Sequence, residues 1–159
     1  MSRPSPAPER PESIRFLALL AEASPRIGTG HVVELRNVAR AALRRGVATE
    51  LWLNSEAPPG LLEAAPCPVQ VVADFSPDQL RNVASSLRAR ECAAALVSFW
   101  QIQNEQITAL ADFGGPVAVV DELGGVALPC DLVFNPSLVP ELVAYTSSNP
   151  RFRVCGGPQ

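Results

Sequence analysis

The chain has 159 residues, a formal net charge of -3 and a pI of about 5.2, so it carries no general attraction for nucleic acid or an anionic membrane surface. Apolar residues make up 47% and charged residues 18%, a balance that excludes a disordered chain and supplies enough apolar surface for one core. No run of about 18 apolar residues is present, which excludes a spanning helix.

In chain order, Met1 to Pro11 holds Pro4, Pro6, Pro8 and Pro11 without an apolar stretch, so residues 1–13 are expected to form a disordered leader and not a signal peptide. Residues 14–20 read as an apolar strand. A loop then closes on Arg26-Ile27-Gly28-Thr29-Gly30-His31, and the single histidine opens a helix. Val32, Leu35, Val38, Ala39, Ala42 and Leu43 recur at spacings of three and four along it, and Gly46 stops it. Arg36, Arg40, Arg44 and Arg45 read as a solvated face whose charge suits the helix C-terminus.

Residues 48–53 alternate as a second strand, 61–65 form a short helical piece and 68–73 a third strand. Ser76-Pro77-Asp78 is a helix start with Ser76 as cap, and that helix is expected to run to about Arg90. A buried strand over 92–98 is followed by Phe99-Trp100, and a helix over 104–113 ends at Gly114-Gly115. Residues 116–120 are wholly apolar, as central parallel strands are, and finish in Asp121-Glu122. Residues 131–134 form a sixth strand ending at Asn135-Pro136. An irregular or weakly helical tail follows over 138–150, then a last strand over 152–155.

The alternation predicts a Rossmann-like, doubly wound, mostly parallel α/β sheet in a single domain over 14–159. In such sheets ligands bind outside the carboxyl ends of the strands, where His31, Trp100, Asp121 and Asn135 are all expected to fall. The unpaired N–H groups and positive dipole end of the first helical turn oppose a second positive charge, which favours a neutral imidazole able to act as a general base. Gly28 and Gly30 let the backbone turn tightly and let a ligand approach. The same residues also read more plainly: His31 as a capping or loop residue, Trp100 as a core anchor, Asp121 as a cap and Asn135 as a turn residue.

Several known motifs fail. Val33 stands where the dinucleotide fingerprint needs its third glycine, no G-K-[ST] forms a phosphate loop, and neither G-x-S-x-G nor H-E-x-x-H occurs. A free-standing mononucleotide-binding domain is therefore disfavoured, and nothing calls for a cofactor or metal. Cys67, Cys92, Cys130 and Cys155 form no C-x-x-C pair and read as buried or partly buried thiols in a reducing cytoplasm.

The segment Ile27-Gly28-Thr29-Gly30-His31-Val32, after Glu22-Ala23-Ser24, resembles the N-terminal motif of the UDP-sugar hydrolases of pseudaminic acid biosynthesis, the PseG/SpsG family. Val119-Val120-Asp121-Glu122, Cys130-Asp131-Leu132-Val133-Phe134-Asn135 and Val154-Cys155-Gly156-Gly157-Pro158 resemble later segments of that family in the same order. The resemblance implies the N-terminal half of a two-domain GT-B glycosyltransferase fold. It assigns His31 as the base that activates water or an acceptor hydroxyl at the anomeric carbon of a UDP-sugar. It also implies that Gly28, Thr29, Gly30, Trp100, Asp121 and Asn135 contact the substrate, and that the nucleotide is held by a C-terminal domain, which this chain lacks and a longer polypeptide or a separate subunit would supply. Leu20, Glu34 and Ser98 depart from the family pattern, which implies a different substrate or lost turnover. The alternative function is a non-catalytic GT-B-like module that binds a partner protein or a small ligand.

Overall fold

A computed structural model describes residues 15–125 and 127–157. The expected leader over 1–13, the start of the first strand at Ile14, and Pro158 and Gln159 lie outside the described residues. Seven strands form one sheet in the order β3-β2-β1-β4-β5-β6-β7: β1 (Phe16–Ala21), β2 (Ala48–Asn54), β3 (Val69–Val72), β4 (Ala94–Ser98), β5 (Val117–Val120), β6 (Leu132–Asn135) and β7 (Arg153–Gly156). Every pairing is parallel. The first six strands follow the Rossmann order, and β7 extends one edge. β1 lies at the centre between β2 and β4, which is why its sequence, FLALLA, has no polar side chain.

From β1 the chain steps to β2 and β3 in one direction and, after returning to β4, to β5 in the other. Right-handed crossovers then put the two sets of helices on opposite faces. On one face, α1 (Gly30–Leu43) buries Val32, Leu35 and Ala39 against Leu19, Ala21, Leu51 and Leu53, with α2 (Pro59–Glu63) beside it. The other face is covered by α3 (Pro77–Ala89) and α4 (Asn104–Ala111), whose Leu80, Val83, Leu87, Ile107 and Leu110 pack on Leu20, Val97 and Val119. Ser76 caps α3 by accepting the Gln79 N–H, as its sequence predicts.

The connection from β5 to β6 is a loop, and its Leu128 and Cys130 plug the α3–α4 side. The next connection holds only a 3-10 turn, Pro140–Leu142, and sends Tyr145 and Phe152 onto that same core. Both segments thus serve one face. On the α1 side, Leu96, Ala118, Val120, Leu132 and Phe134 line a groove of about 500 Å3 between the sheet and Val38 of α1.

Two expectations are corrected at the margins. Leu43 shares the predicted apolar face but is exposed, because it occupies the last turn of α1, just before Gly46 (φ +75°) turns the chain away. Cys155 is exposed on the edge strand β7, whereas Cys67 and Cys92 are partly buried and Cys130 is buried. No helix among the described residues is long and apolar enough to cross a membrane.

One buried amide fixes the exit of β1. Asn54, at the end of β2, accepts from the Ala23 N–H at 2.9 Å and donates to the Ala23 carbonyl at 2.8 Å, satisfying both groups where the ladder stops. Asn54→Ala leaves both unpaired, and the expected loss is about 2–4 kcal/mol in urea denaturation. A loss below about 0.5 kcal/mol, the scale of an ordinary surface change, would contradict this account.

Candidate functional site

The turn ahead of α1 folds on itself. Ser24 and Gly28 pair in a short antiparallel bridge, with the Gly28 N–H donating to the Ser24 carbonyl at 2.8 Å. The φ of +81° at Gly28 lets the chain reverse there, a conformation that side chains disfavour. Thr29 makes no side-chain cap, although its carbonyl accepts the Val33 N–H at 3.0 Å. Gly30 begins α1, so His31 stands in the first turn, half-buried, at the crevice above the carboxyl ends of β1 and β4. That crevice is the switch point of the sheet, the place where open α/β folds bind ligands.

Three side chains meet there. His31 Nδ1 lies 2.9 Å from Ser98 Oγ, and the Ser98 hydroxyl donates to Glu34 Oε2 at 2.9 Å. Ser98, the last residue of β4, is only 1% exposed. A hydroxyl has one proton to give. With that proton spent on Glu34, Ser98 accepts from His31 Nδ1–H, which leaves Nε2 to carry the lone pair of the neutral ring. Burial pushes the Glu34 carboxyl above the usual carboxylate range. The Ser98 hydrogen bond and nearby His31 oppose the rise, and Glu122 adds to it.

These groups open on a cavity of about 420 Å3 whose wall includes Ile27, Gly30, His31, Glu34, Ser98, Trp100, Asp121 and Glu122. Trp100 is 54% exposed, with its ring edge-on to His31 at 6.4 Å between centroids. Its backbone N–H donates to Glu22 Oε2 at 3.2 Å. The aromatic pair therefore divides its roles: Phe99 turns inward and stacks on Phe75 at 4.6 Å, so the expected core anchor is Phe99 and not Trp100. Asp121 Oδ2 accepts the Gly124 N–H at 2.7 Å, a turn contact that leaves Oδ1 available to the cavity.

Of the residues singled out from sequence, the structure brings His31, Gly30, Trp100 and Asp121 together around this cavity. Gly28 and Thr29 shape the turn behind it and do not line it. Asn135 is completely buried and does not face the cleft. Its amide donates to Tyr145 Oη at 2.9 Å while its carbonyl accepts from the Ser137 N–H, and Tyr145 in turn donates to the Asp121 carbonyl at 2.6 Å. Burial and the adjacent Asp121 push the Tyr145 phenol up to about 12, so it remains a donor. Asn135 thus supports the loop that carries Asp121. Glu34, Ser98 and Glu122 are the site residues that sequence patterns did not pick out as partners of His31. Glu34 had a local signal, since position i+3 on a helix faces the same side as position i.

Among the described residues, no group of three or more His, Cys, Asp or Glu side chains is arranged to hold a metal ion. No protein-family model matches the chain, and no curated protein matches it. Among solved structures, the chain is similar to the N-acetylmannosamine-6-phosphate 2-epimerase from Clostridium perfringens, at 12% identity over 97% of this chain and 93% of that one, with a TM-score of 0.29. A likeness that low carries no argument about function.

The ring geometry is directly measurable because His31 is the single histidine. In two-bond nitrogen–proton NMR spectra of untagged protein, neutral His31 is expected as the Nδ1–H tautomer, and Ser98→Ala is expected to abolish that preference; an Nε2–H ring in the parent protein refutes the arrangement. Glu34 makes a second prediction. Its folded-state pKa is raised, so its ionisation costs stability as pH climbs through that value, and the cost vanishes at acid pH where both states are protonated. Glu34→Gln is therefore expected to match or exceed the parent's stability at neutral pH, with the difference closing on acidification. A difference that widens toward acid pH has the wrong sign.

Proposed function

We propose that this chain is the sugar- or acceptor-binding domain of a nucleotide-sugar hydrolase or glycosyltransferase, with His31 as its general base. The reading combines the resemblance carried by the Gly28-Thr29-Gly30-His31 segment with one observation: Ser98 holds Nδ1 of His31, leaving Nε2 to serve a cavity at the switch point. Nε2 takes a proton from water or an acceptor hydroxyl as that oxygen bonds to the anomeric carbon. The bond from that carbon to the UDP oxygen breaks, and UDP leaves with the electron pair. Ser98 and Glu34 are positioning residues that fix the tautomer and aim of the ring, much as a carboxylate orients histidine in other base-catalysed sites. Glu34 and Ser98, the departures from the family pattern, are on this reading a substitute support for the imidazole.

No arginine or lysine is among the side chains lining the cavity. The diphosphate is accordingly held elsewhere, which fits a separate nucleotide-binding domain in a longer polypeptide or a partner subunit. Four free cysteines suit a reducing cytoplasm. A second reading, a non-catalytic module that binds a partner protein, draws support from the apolar groove over β4, β5 and β6.

The test is UDP release from a panel of UDP-sugars, with the chain alone and with a GT-B C-terminal domain added. His31→Ala is expected to lower turnover roughly 100- to 10,000-fold with little change in KM. Ser98→Ala should fall in the same direction by a smaller factor. Turnover indifferent to His31 eliminates the base, and absence of UDP release under every condition favours the partner-binding module.

A further inference from the structure

We infer that the apolar groove over β4, β5 and β6 is the seat of an amphipathic helix supplied by a partner protein, laid beside α1 with its acidic end over the amino ends of the strands. The inference stands on the groove alone and holds whether or not His31 acts as a base. Its first support is a layer that the described residues do not provide. Along the three strands apolar side chains alternate to both faces, as in parallel strands buried on both sides. Val97, Val119 and Val133, turned to the α3–α4 side, are buried. Their neighbours Leu96, Ala118 and Leu132, turned to the groove, stay partly exposed.

The shape of the strip selects the occupant. From β4 to β7 it is three interstrand spacings wide, about 14 Å, and β5 and β6 are each four residues long, about 13 Å. A helix with its side chains is about 10–12 Å across, so two to three turns of one helix cover the strip, whereas a single acyl chain leaves most of it wet. A second sheet is held off, because α1 stands on the same face and sheets stack only about 10 Å apart. A second copy offers no suitable helix among the described residues. The outward faces of α1, α3 and α4 carry Arg40 and Arg44, Arg81 and Arg88, and Glu105 and Thr108, and the five residues of α2 are too few to span the strip.

Charge fixes the direction. Two acidic residues line the groove, and both are engaged: Glu34 accepts from the Ser98 hydroxyl, and Asp131 pairs with Arg151 and accepts the Val117 N–H, at 3.0 Å each. At the amino end of the strands, Arg153 opens β7 on the same face as Cys155, which lines the groove. Arg45 lies just past α1, on the helical line that runs through Glu34 and Val38. Neither arginine takes part in an ion pair among the described residues. These two exposed cations suit the negative end of a helix dipole and carboxylates in its last turn, so the added helix runs in the direction of α1.

Cys155 is the reporter, since it is exposed on the groove wall, whereas Cys67 and Cys92 are partly buried and Cys130 is buried. Its alkylation by iodoacetamide is followed by peptide mass spectrometry in the full chain. The probe is an amphipathic peptide of about 15 residues, with leucines on one face and two glutamates in the last turn. At concentrations where a scrambled peptide of the same composition has no effect, Cys155 is expected to react at least about fivefold more slowly, with Cys67 unchanged. Replacing the two glutamates by lysines should weaken the protection severalfold, and the difference should close at high salt. Arg45→Glu combined with Arg153→Glu, both at exposed positions, should reverse that preference. Ala118→Glu, which plants a carboxylate in the groove floor, should remove protection by either peptide. Equal protection by the scrambled peptide or by laurate overturns the helix, and an unchanged preference in the doubly reversed variant overturns its direction. Alkylation that slows with rising protein concentration, without peptide, makes a second copy the occupant and overturns the partner.

Discussion

A single hydroxyl joins the first turn of α1 to the end of β4. Ser98 gives its one proton to Glu34 and accepts from His31, so one small side chain sets the direction of two hydrogen bonds. Its position follows from topology. β4 is the strand that returns to the centre of the sheet beside β1, and its end therefore comes within reach of the first turn of the helix that follows β1. The cavity at the switch point opens at that junction.

Much of the scaffold was legible in the sequence because its signals are local. Apolar or alternating runs marked every strand to within two or three residues, and Ser76-Pro77 and Gly46 marked a helix start and a helix end. His31 at the head of α1 was equally plain. What stayed hidden depended on contacts across the chain: Ser98 lies 67 residues from His31, and no spacing rule links them. Asn135 was misplaced for a related reason. A polar residue at a strand end suggests a rim, but Tyr145, ten residues further on, folds over it and turns it into an interior support. The reading of Trp100 as a core anchor failed because the neighbouring Phe99 takes that place, stacked on Phe75.

The residues that break the resemblance carry a further lesson about substitution. An acidic side chain at position 34 reads, in isolation, as a reversal of the chemistry. In the folded chain it is the acceptor that orders Ser98 and, through it, the imidazole. Whether a departure from a pattern removes a function depends on what the new side chain touches, and that information belongs to the assembled sheet.

Glu34 lies in the partition between the two hollows, lining both the polar cavity and the apolar groove on the other side of α1's first turns. The groove is lined almost wholly by carbon, so the stem of Glu34 faces it while the carboxyl is turned to Ser98. One side chain thus divides its length between two surroundings, and the turn of helix that carries His31 is the wall between a greasy surface and a wet one.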